Sequence, residues 1–332
     1  MHVLVTGATG FIGRYAVAAL QRAGHDVRAL VCDRDRASAI LDATTELAVG
    51  DALDRNAVRT ALAGCDGLLH CAAVYSYHRR DIARVLRDTP ALASAVLNAA
   101  AAARVSRVVD VASTVVYTTT TDVVNPSTRL ARAGDPTWDD AYVRAKVAAE
   151  EIGADLERRG LPRVTVHPSR VLGPGDSGPG TSGASVIALL RGGLTVNAQG
   201  GWVDVRDVAA AAVAAFGAPV GTHAIVSSSS MSYRDLAPLL DRLTGRRRRR
   251  MFIPAGGMRV LARFNDRAGG RLSDLPVAPA LEYILTSPPV DGSSAATTLG
   301  VQYQPFEATL TDAIRWWAAN GRISRDLAGS LA

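Results

Sequence analysis

Lysine is almost absent from this chain of 332 residues: of 37 basic positions only Lys146 carries an amine, and arginine serves everywhere else. A positive charge alone therefore does not explain position 146, which requires an amine for another reason. Cysteine is scarce too, with Cys32, Cys65 and Cys71 odd in number and none of them in a C-x-x-C pair. That pattern argues against a disulfide framework and a cysteine zinc site. Six histidines lie scattered without metal-ligand spacing, so no metal is expected. No run approaches the ~20 apolar residues of a membrane span, and the apolar start lacks a basic n-region and a cleavage site. A cytoplasmic protein with no membrane span is the expectation. Aromatic residues are few, at 5% of the chain, and do not interleave with the basic ones, so nucleic acid is not an expected partner despite the net charge of +6. Much of that excess can come from the run Arg246 to Arg250, which reads as a solvated loop between a helix and a strand. Neither Gly-x-Ser-x-Gly nor a phosphate-binding P-loop is present.

Glycine, in contrast, is concentrated where it matters. The chain opens Val3-Leu-Val5 and runs straight into Gly7, Gly10 and Gly13, followed by a helix-compatible stretch to Arg22. Strand, tight turn and helix in that order make a dinucleotide seat. Gly7 allows the turn, Gly10 lets the backbone approach a pyrophosphate, and Gly13 lets the helix pack on the strand. Unpaired N–H groups and the positive end of the helix dipole then face the phosphates.

The alternation continues. Strands are expected at 27–31, 45–51, 67–73, 105–113 and 164–168. Helices are expected over 56–62, over the alanine-rich 91–103, and from a cap at Asp139 or Asp140 to about Arg158. Strands and helices at this spacing imply a doubly wound parallel α/β sheet with its ligand at the carboxyl ends of the strands. Residues 118–132 read as a loop over the site, and 173–180, with four glycines and two prolines, as a mobile connection. Residues 202–209 resume a strand-to-helix pattern, with Asp204 and Asp207 flanking Arg206 as an ion pair or cap. The expected division is a dinucleotide domain of 1–170 and 201–222, and a smaller C-terminal substrate-binding region of 171–200 and 223–332.

Tyr142 and Lys146 stand four apart on the helix after 140 and so share a face. A tyrosine near pKa 10 is a poor base at neutral pH. A lysine cation one turn away, together with an oxidised nicotinamide, would favour tyrosinate. Ser113, at the end of the fifth strand, can hold the same reacting oxygen. With eight tyrosines in 332 residues, chance would set the single lysine four places after one of them about 2% of the time.

Taken together, Gly7-x-x-Gly10-x-x-Gly13, His70-x-Ala-Ala73, Ser113 before Val116-Tyr117, Tyr142-x-x-x-Lys146 and His167-Pro-Ser-x-Val-Leu-Gly-Pro-Gly-Asp176 resemble an extended short-chain dehydrogenase/reductase of the NAD-dependent epimerase/dehydratase family. The order holds over about the first 210 residues, and Ser232 to Leu236 with Leu243 to Gly245 resemble the family's later helix. The resemblance implies a Rossmann fold. It implies that Thr9 to Gly13, with Phe11 and Ile12 among them, hold the pyrophosphate, that Asp51 and Ala52 hold the adenine, and that Ala72 and Ala73 hold the nicotinamide ribose. Pro168 to Val171 would touch the nicotinamide amide, and Ser113, Tyr142 and Lys146 would be the catalytic trio. Val74, Tyr75, Leu172 and Trp202 are candidates for the substrate pocket.

Departures bear on the cofactor. Where relatives often carry an arginine that pairs with a 2'-phosphate, this chain has Cys32, followed by Asp33 and Arg34. Asp33 would suit the ribose hydroxyls of NAD, and Arg34 or Arg36 the phosphate of NADP, with the balance leaning to NADP. A family asparagine is replaced in the Asp88-Thr89-Pro90 region. The expected activity is NAD(P)-dependent interconversion of a ketone or aldehyde and an alcohol on a small, largely apolar substrate, of the dihydroflavonol-reductase and 3β-hydroxysteroid-dehydrogenase type. A nucleotide-sugar epimerase or dehydratase, with Arg206 or the 246–250 run on phosphate, and a non-catalytic dinucleotide sensor are the alternatives. A homodimer is compatible with the sequence, which does not determine oligomeric state.

Overall fold

The computed structural model describes residues 1–76, 79–117, 122–132, 140–176, 181–267 and 278–332. The opening strand β1 (His2–Thr6) turns into helix α1 (Phe11–Arg22), and β2 (Asp26–Val31), α2 (Arg34–Ser38), β3 (Glu46–Val49), α3 (Arg55–Leu62) and β4 (Gly67–His70) repeat the alternation. Two longer helices follow, α4 (Ile82–Ala103) before β5 (Arg107–Val111) and α5 (Ala141–Arg158) before β6 (Arg163–Pro168). These strands are near-continuous apolar runs because helices cover both faces of the sheet. Val3, Leu4, Val5, Leu68, Leu69, Val108, Val109, Val164 and Val166 are all fully buried. The expected helix at 91–103 starts earlier, at Ile82, and carries Pro90 inside it.

Shorter elements make up the rest: β7 (Arg170–Leu172), α6 (Thr181–Arg191), β8 (Gly193–Val196), β9 (Gly201–Asp204), α7 (Val205–Ala214), β10 (His223–Val226), β11 (Ser229–Ser230), α8 (Tyr233–Thr244), β12 (Arg250–Ile253), α9 (Ala255–Arg267), α10 (Ala278–Thr286), α11 (Ser293–Leu299) and α12 (Phe306–Ala319).

Seven strands form one sheet in the order β10-β6-β5-β4-β1-β2-β3, every neighbouring pair parallel. This is the doubly wound sheet that the alternation implies. The chain changes direction across it between β1 and β4, which opens a crevice at their carboxyl ends. The seventh strand comes from beyond the boundary drawn at residue 222. Residues 223–226, expected in the substrate-binding region, pair with β6 because α7 packs on α1 and returns the chain to the sheet edge. Ala224, Ile225 and Val226 are buried there, as a covered parallel strand requires. β9, expected with the dinucleotide domain, belongs instead to a small sheet of order β11-β9-β7.

The C-terminal lobe has its own apolar core, in which Leu189, Leu190, Leu236, Leu240, Leu310, Ile314 and Trp317 surround Trp202. The arginine run is not simply solvated. Arg250 opens β12 with its side chain nearly buried, donating to the Leu189 carbonyl at 2.7 Å and to Asp241 at 2.8 Å, while Arg248 pairs with Asp326 at 2.6 Å.

Candidate active site

The glycine turn is built as its spacing implies. Gly7 has φ +72°, and a Cβ there would stand 2.7 Å from the Ala72 nitrogen. At Gly13 a Cβ would lie 2.0 Å from the Gly7 carbonyl oxygen, so only glycine lets α1 start against β1. Gly10 caps α1 without any side chain on the helix end. The first-turn N–H groups, which have no intrahelical acceptors, therefore remain for a ligand. This cradle fits a dinucleotide pyrophosphate.

The three side chains expected to be catalytic come together from two places, the end of β5 and the start of α5. Asp140 accepts hydrogen bonds from the Tyr142 and Val143 amides at 2.9 and 3.1 Å, starting α5 so that Tyr142 occupies its first turn. Asp139, the other candidate cap, lies outside the described residues. Ser113, two residues past β5, hydrogen-bonds the Tyr142 phenol. Lys146, one turn along α5 and buried, donates to the Val111 carbonyl at 3.4 Å. Burial pushes the Tyr142 phenol well above 10; the neighbouring Tyr75 and Tyr283 phenols add to this, and the Ser113 bond opposes it. The protein by itself thus keeps Tyr142 protonated; the expectation of tyrosinate is for Lys146 together with an oxidised nicotinamide.

Beneath Lys146 lies a feature that spacing did not reveal. Arg163, fully buried, donates to Asp110 at 3.0 and 2.9 Å and to both oxygens of Glu150 at 2.9 and 2.7 Å. Gly153 makes room for it, since a Cβ there would meet the guanidinium carbon at 2.5 Å. Glu157 also approaches Arg163 at 3.6 Å, so the carboxylates outnumber the guanidinium, and Lys146 answers part of the excess negative charge. Burial lowers the Lys146 pKa, and Asp110 and Glu150 work against that fall. His167 packs beside this group and stays neutral, burial holding it at about 4, and its ring nitrogens face the Ser113 carbonyl at 3.4 Å and His223 at 3.1 Å. Glu150, His167 and His223 converge as metal ligands do, but both Glu150 oxygens are already committed to Arg163.

A cavity of about 440 Å³ joins the glycine turn to the trio. Of the residues expected at the site, Gly7, Gly10, Phe11, Ile12, Gly13, Ala73, Tyr75, Ser113, Tyr142, Lys146, Pro168 and Val171 stand on its wall. Others do not. Trp202 and Leu172, expected in the substrate pocket, are fully buried in the C-terminal core instead, because β7 and β9 turn those faces inward. Val74 packs behind the wall and its carbonyl receives the Thr89 hydroxyl at 3.4 Å, tying α4 to this segment. Ala72 backs the glycine turn. Thr9, within the turn, is not on the wall. Asp33 and Arg34, past β2, and Asp51 and Ala52, past β3, stand where the adenosine end of a dinucleotide would extend. There Asp33 caps α2 at the Arg36 amide, Arg34 donates to the Leu47 carbonyl, Asp51 accepts from the Leu53 amide, and Ala52 packs on the core.

Arg170, within the expected Pro168 to Val171 segment, is also on the wall, and the residues there that no sequence expectation covered come mostly from the C-terminal lobe: Asp176, Ser185, Tyr233, Tyr283, Ile284, Ser287 and Val290. Val124, in the loop expected over the site, also reaches the wall and bridges to Val290. The described half of the 173–180 connection is tied to α1, with Tyr15 donating to the Pro174 carbonyl at 2.9 Å and Arg14 to the Gly175 carbonyl. Arg206, considered for phosphate, pairs with Asp204 at 2.6 Å and Asp312 at 2.8 Å.

A doubly wound sheet whose glycine turn shares a cavity with a Ser-Tyr-Lys trio defines a dinucleotide-dependent enzyme of the short-chain dehydrogenase/reductase class. The comparisons place it further. The chain belongs to the NAD dependent epimerase/dehydratase family, whose model matches residues 3–226. It is 27% identical to sterol demethylase protein B of Methylococcus capsulatus, over 97% of this chain and 100% of that protein. It is 32% identical to cinnamoyl-CoA reductase CAD2 of Medicago truncatula, over 68% of this chain and 75% of that one. The crystal structure of gox2253 superposes with a TM-score of 0.84 at 24% identity, covering 97% and 99% of the two chains. No described helix is long and apolar enough to cross a membrane.

Proposed function

We propose that the protein reduces a ketone or aldehyde on a small, largely apolar substrate, with NADPH preferred over NADH, and catalyses the reverse oxidation of the alcohol. The observation that carries this reading is the placing of Tyr142, bonded to Ser113 and one helical turn from Lys146, on the wall of the cavity that the glycine turn opens into. A bound nicotinamide would supply the hydride. Ser113 and Tyr142 hold the substrate oxygen, and Tyr142 transfers its proton to that oxygen as negative charge develops. Lys146, held as a cation by the surplus charge below it, stabilises the tyrosinate left behind. The reductase name of the Medicago relative supports the same direction. The preference for NADPH rests on Asp33 being engaged as a cap while Arg34 and Arg36 stand beside it on α2.

The epimerase reading is weaker because a diphosphate calls for several cations. Lys146 and Arg170 are the only ones on the cavity wall among the described residues. The test is NADPH consumption against a panel of ketones, aldehydes and nucleotide sugars. Tyr142→Phe should lower kcat about 1000-fold. Unchanged turnover in that variant refutes the mechanism; epimerisation with no net cofactor change establishes the second reading; dinucleotide binding with no turnover on any substrate establishes a sensor.

A further inference from the structure

The mechanism above leaves one cation on the cavity wall without a task. Arg170 opens β7, and its guanidinium is held on several sides. Its Nη1 donates to the Gln199 carbonyl at 2.9 Å. The Trp202 and Tyr233 rings lie 5.4 and 6.0 Å from its central carbon, in the range of cation–π attraction. Gly200 exists to admit it, since a Cβ there would fall 1.6 Å from Nη1. The second terminal nitrogen, Nη2, is buried and has no hydrogen-bond partner among the described residues. The Asp176 carboxylate on the same wall lies against Gly183 of α6.

An arginine cannot escape burial by losing its proton, so an unpartnered buried N–H is costly unless a ligand supplies the acceptor. The position of that acceptor follows from the neighbours. Ser113, Tyr142, Tyr283 and Arg170 all line this one cavity, and Tyr283 interacts electrostatically with both Tyr142 and Arg170. A substrate whose reacting carbonyl sits at Tyr142 would extend within the same cavity toward the guanidinium.

We propose that Arg170 is a specificity-determining residue that binds a carboxylate carried by the substrate away from its reacting carbonyl, so that the preferred substrate is an oxo acid, a ketone or aldehyde bearing a carboxylate. This rests on the reductase reading and narrows its substrate class. Arg170 transfers no proton and takes no part in the hydride step. Its planar fork suits a carboxylate in a way that a lysine would not match.

The test uses the full chain saturated with NADP⁺, where no hydride is available and ketones form dead-end complexes. Affinities for 4-acetylbenzoate and acetophenone are measured by calorimetry. The carboxylate probe should bind about ten- to a hundredfold more tightly, the range of a charge-assisted hydrogen bond. Arg170→Met should bring that ratio to about one, and Arg170→Lys should keep part of it. A ratio near one in the unaltered protein, or a ratio that survives Arg170→Met, overturns the proposal. Thermal melts report whether each variant folds, and if Arg170→Met does not fold, Arg170→Gln takes its place and should likewise bring the ratio to about one. Because the readout is binding, it separates from turnover: a ratio near one in the unaltered protein with ketone reduction intact refutes the Arg170 role alone, and an intact ratio with no reduction of any ketone refutes the reductase reading.

Discussion

The two walls of the cavity are made of different material. The dinucleotide side is mostly backbone, with Gly7, Gly10, Gly13, Ala73, Ala112 and Pro168 coming from the ends of central strands, the loops that follow them and the first turn of α1. The opposite side is mostly large side chains, with Tyr75, Arg170, Tyr233, Tyr283 and Ile284 drawn largely from the C-terminal lobe. A backbone wall binds a constant ligand through N–H groups and a helix dipole, and it fails wherever a Cβ is added. A side-chain wall binds through shape and one or two placed polar groups, so it can be changed residue by residue. The comparison separates what every member of such a family must keep from what sets this one's substrate.

The comparison is broken most severely at Gly13. Gly13→Val places a branched side chain where even a Cβ would be 2.0 Å from the Gly7 oxygen. Dinucleotide affinity should fall more than about 100-fold, equivalent to ~3 kcal/mol, as read by fluorescence titration with circular dichroism as a folding check. Retained affinity would mean that the turn is not the seat.

The charged floor shared by both walls is the next test. Lys146→Met leaves the excess negative charge around Arg163 unanswered in a buried site, and should cost about 3 kcal/mol of stability in urea unfolding. Adding Glu150→Gln to that variant lowers the excess and should recover part of the loss. Additive losses would show that Lys146 does not answer this charge.

Acidification probes the dinucleotide side through its buried histidines. Burial holds His70 and His167 at about 4, below the ordinary 6.5. Their contribution is fully present above pH 6.5. It is lost as pH falls toward 4, because the unfolded chain takes up protons first. The loss is at most about 3 kcal/mol per histidine. His167→Asn should flatten the slope between pH 6.5 and 4, and an unchanged slope would place the loss elsewhere.

Smaller effects should sharpen the contrast. Arg34→Gln with Arg36→Gln should reduce the preference for NADPH over NADH about tenfold, and an unchanged ratio removes the argument from α2. On the side-chain wall, Ile284→Ala should shift KM for individual ketones less than about tenfold, by loss of apolar contact, while leaving dinucleotide affinity alone. A loss of dinucleotide affinity there would show that the two walls are not separable.

Much of the backbone wall was legible because its signals are local. Gly7 to Gly13 lie within one turn, and Tyr142 and Lys146 within another, so periodicity alone sets their geometry. Trp202 illustrates the opposite case. An aromatic beside a site motif reads equally as pocket or core, and only the packing of β9 between β7 and β11 turned it inward. His223 to Val226 was misassigned for a related reason, since a short apolar strand carries no mark of the sheet it will join. Arg163 and Arg170 were two among many arginines, and nothing local distinguishes a buried guanidinium from a solvated one.

The sequence by itself determined the alternation of strands and helices, the place of the glycine turn and the shared face of Tyr142 and Lys146, because each depends on contacts within a few residues along the chain. The tertiary structure alone decided which strand closes the sheet, which charges lie under Lys146 and which side chains face the substrate. Those choices depend on pairs far apart in sequence, such as Asp110 with Arg163 and Arg170 with Tyr283, and on whether burial leaves a polar group satisfied or waiting for a ligand.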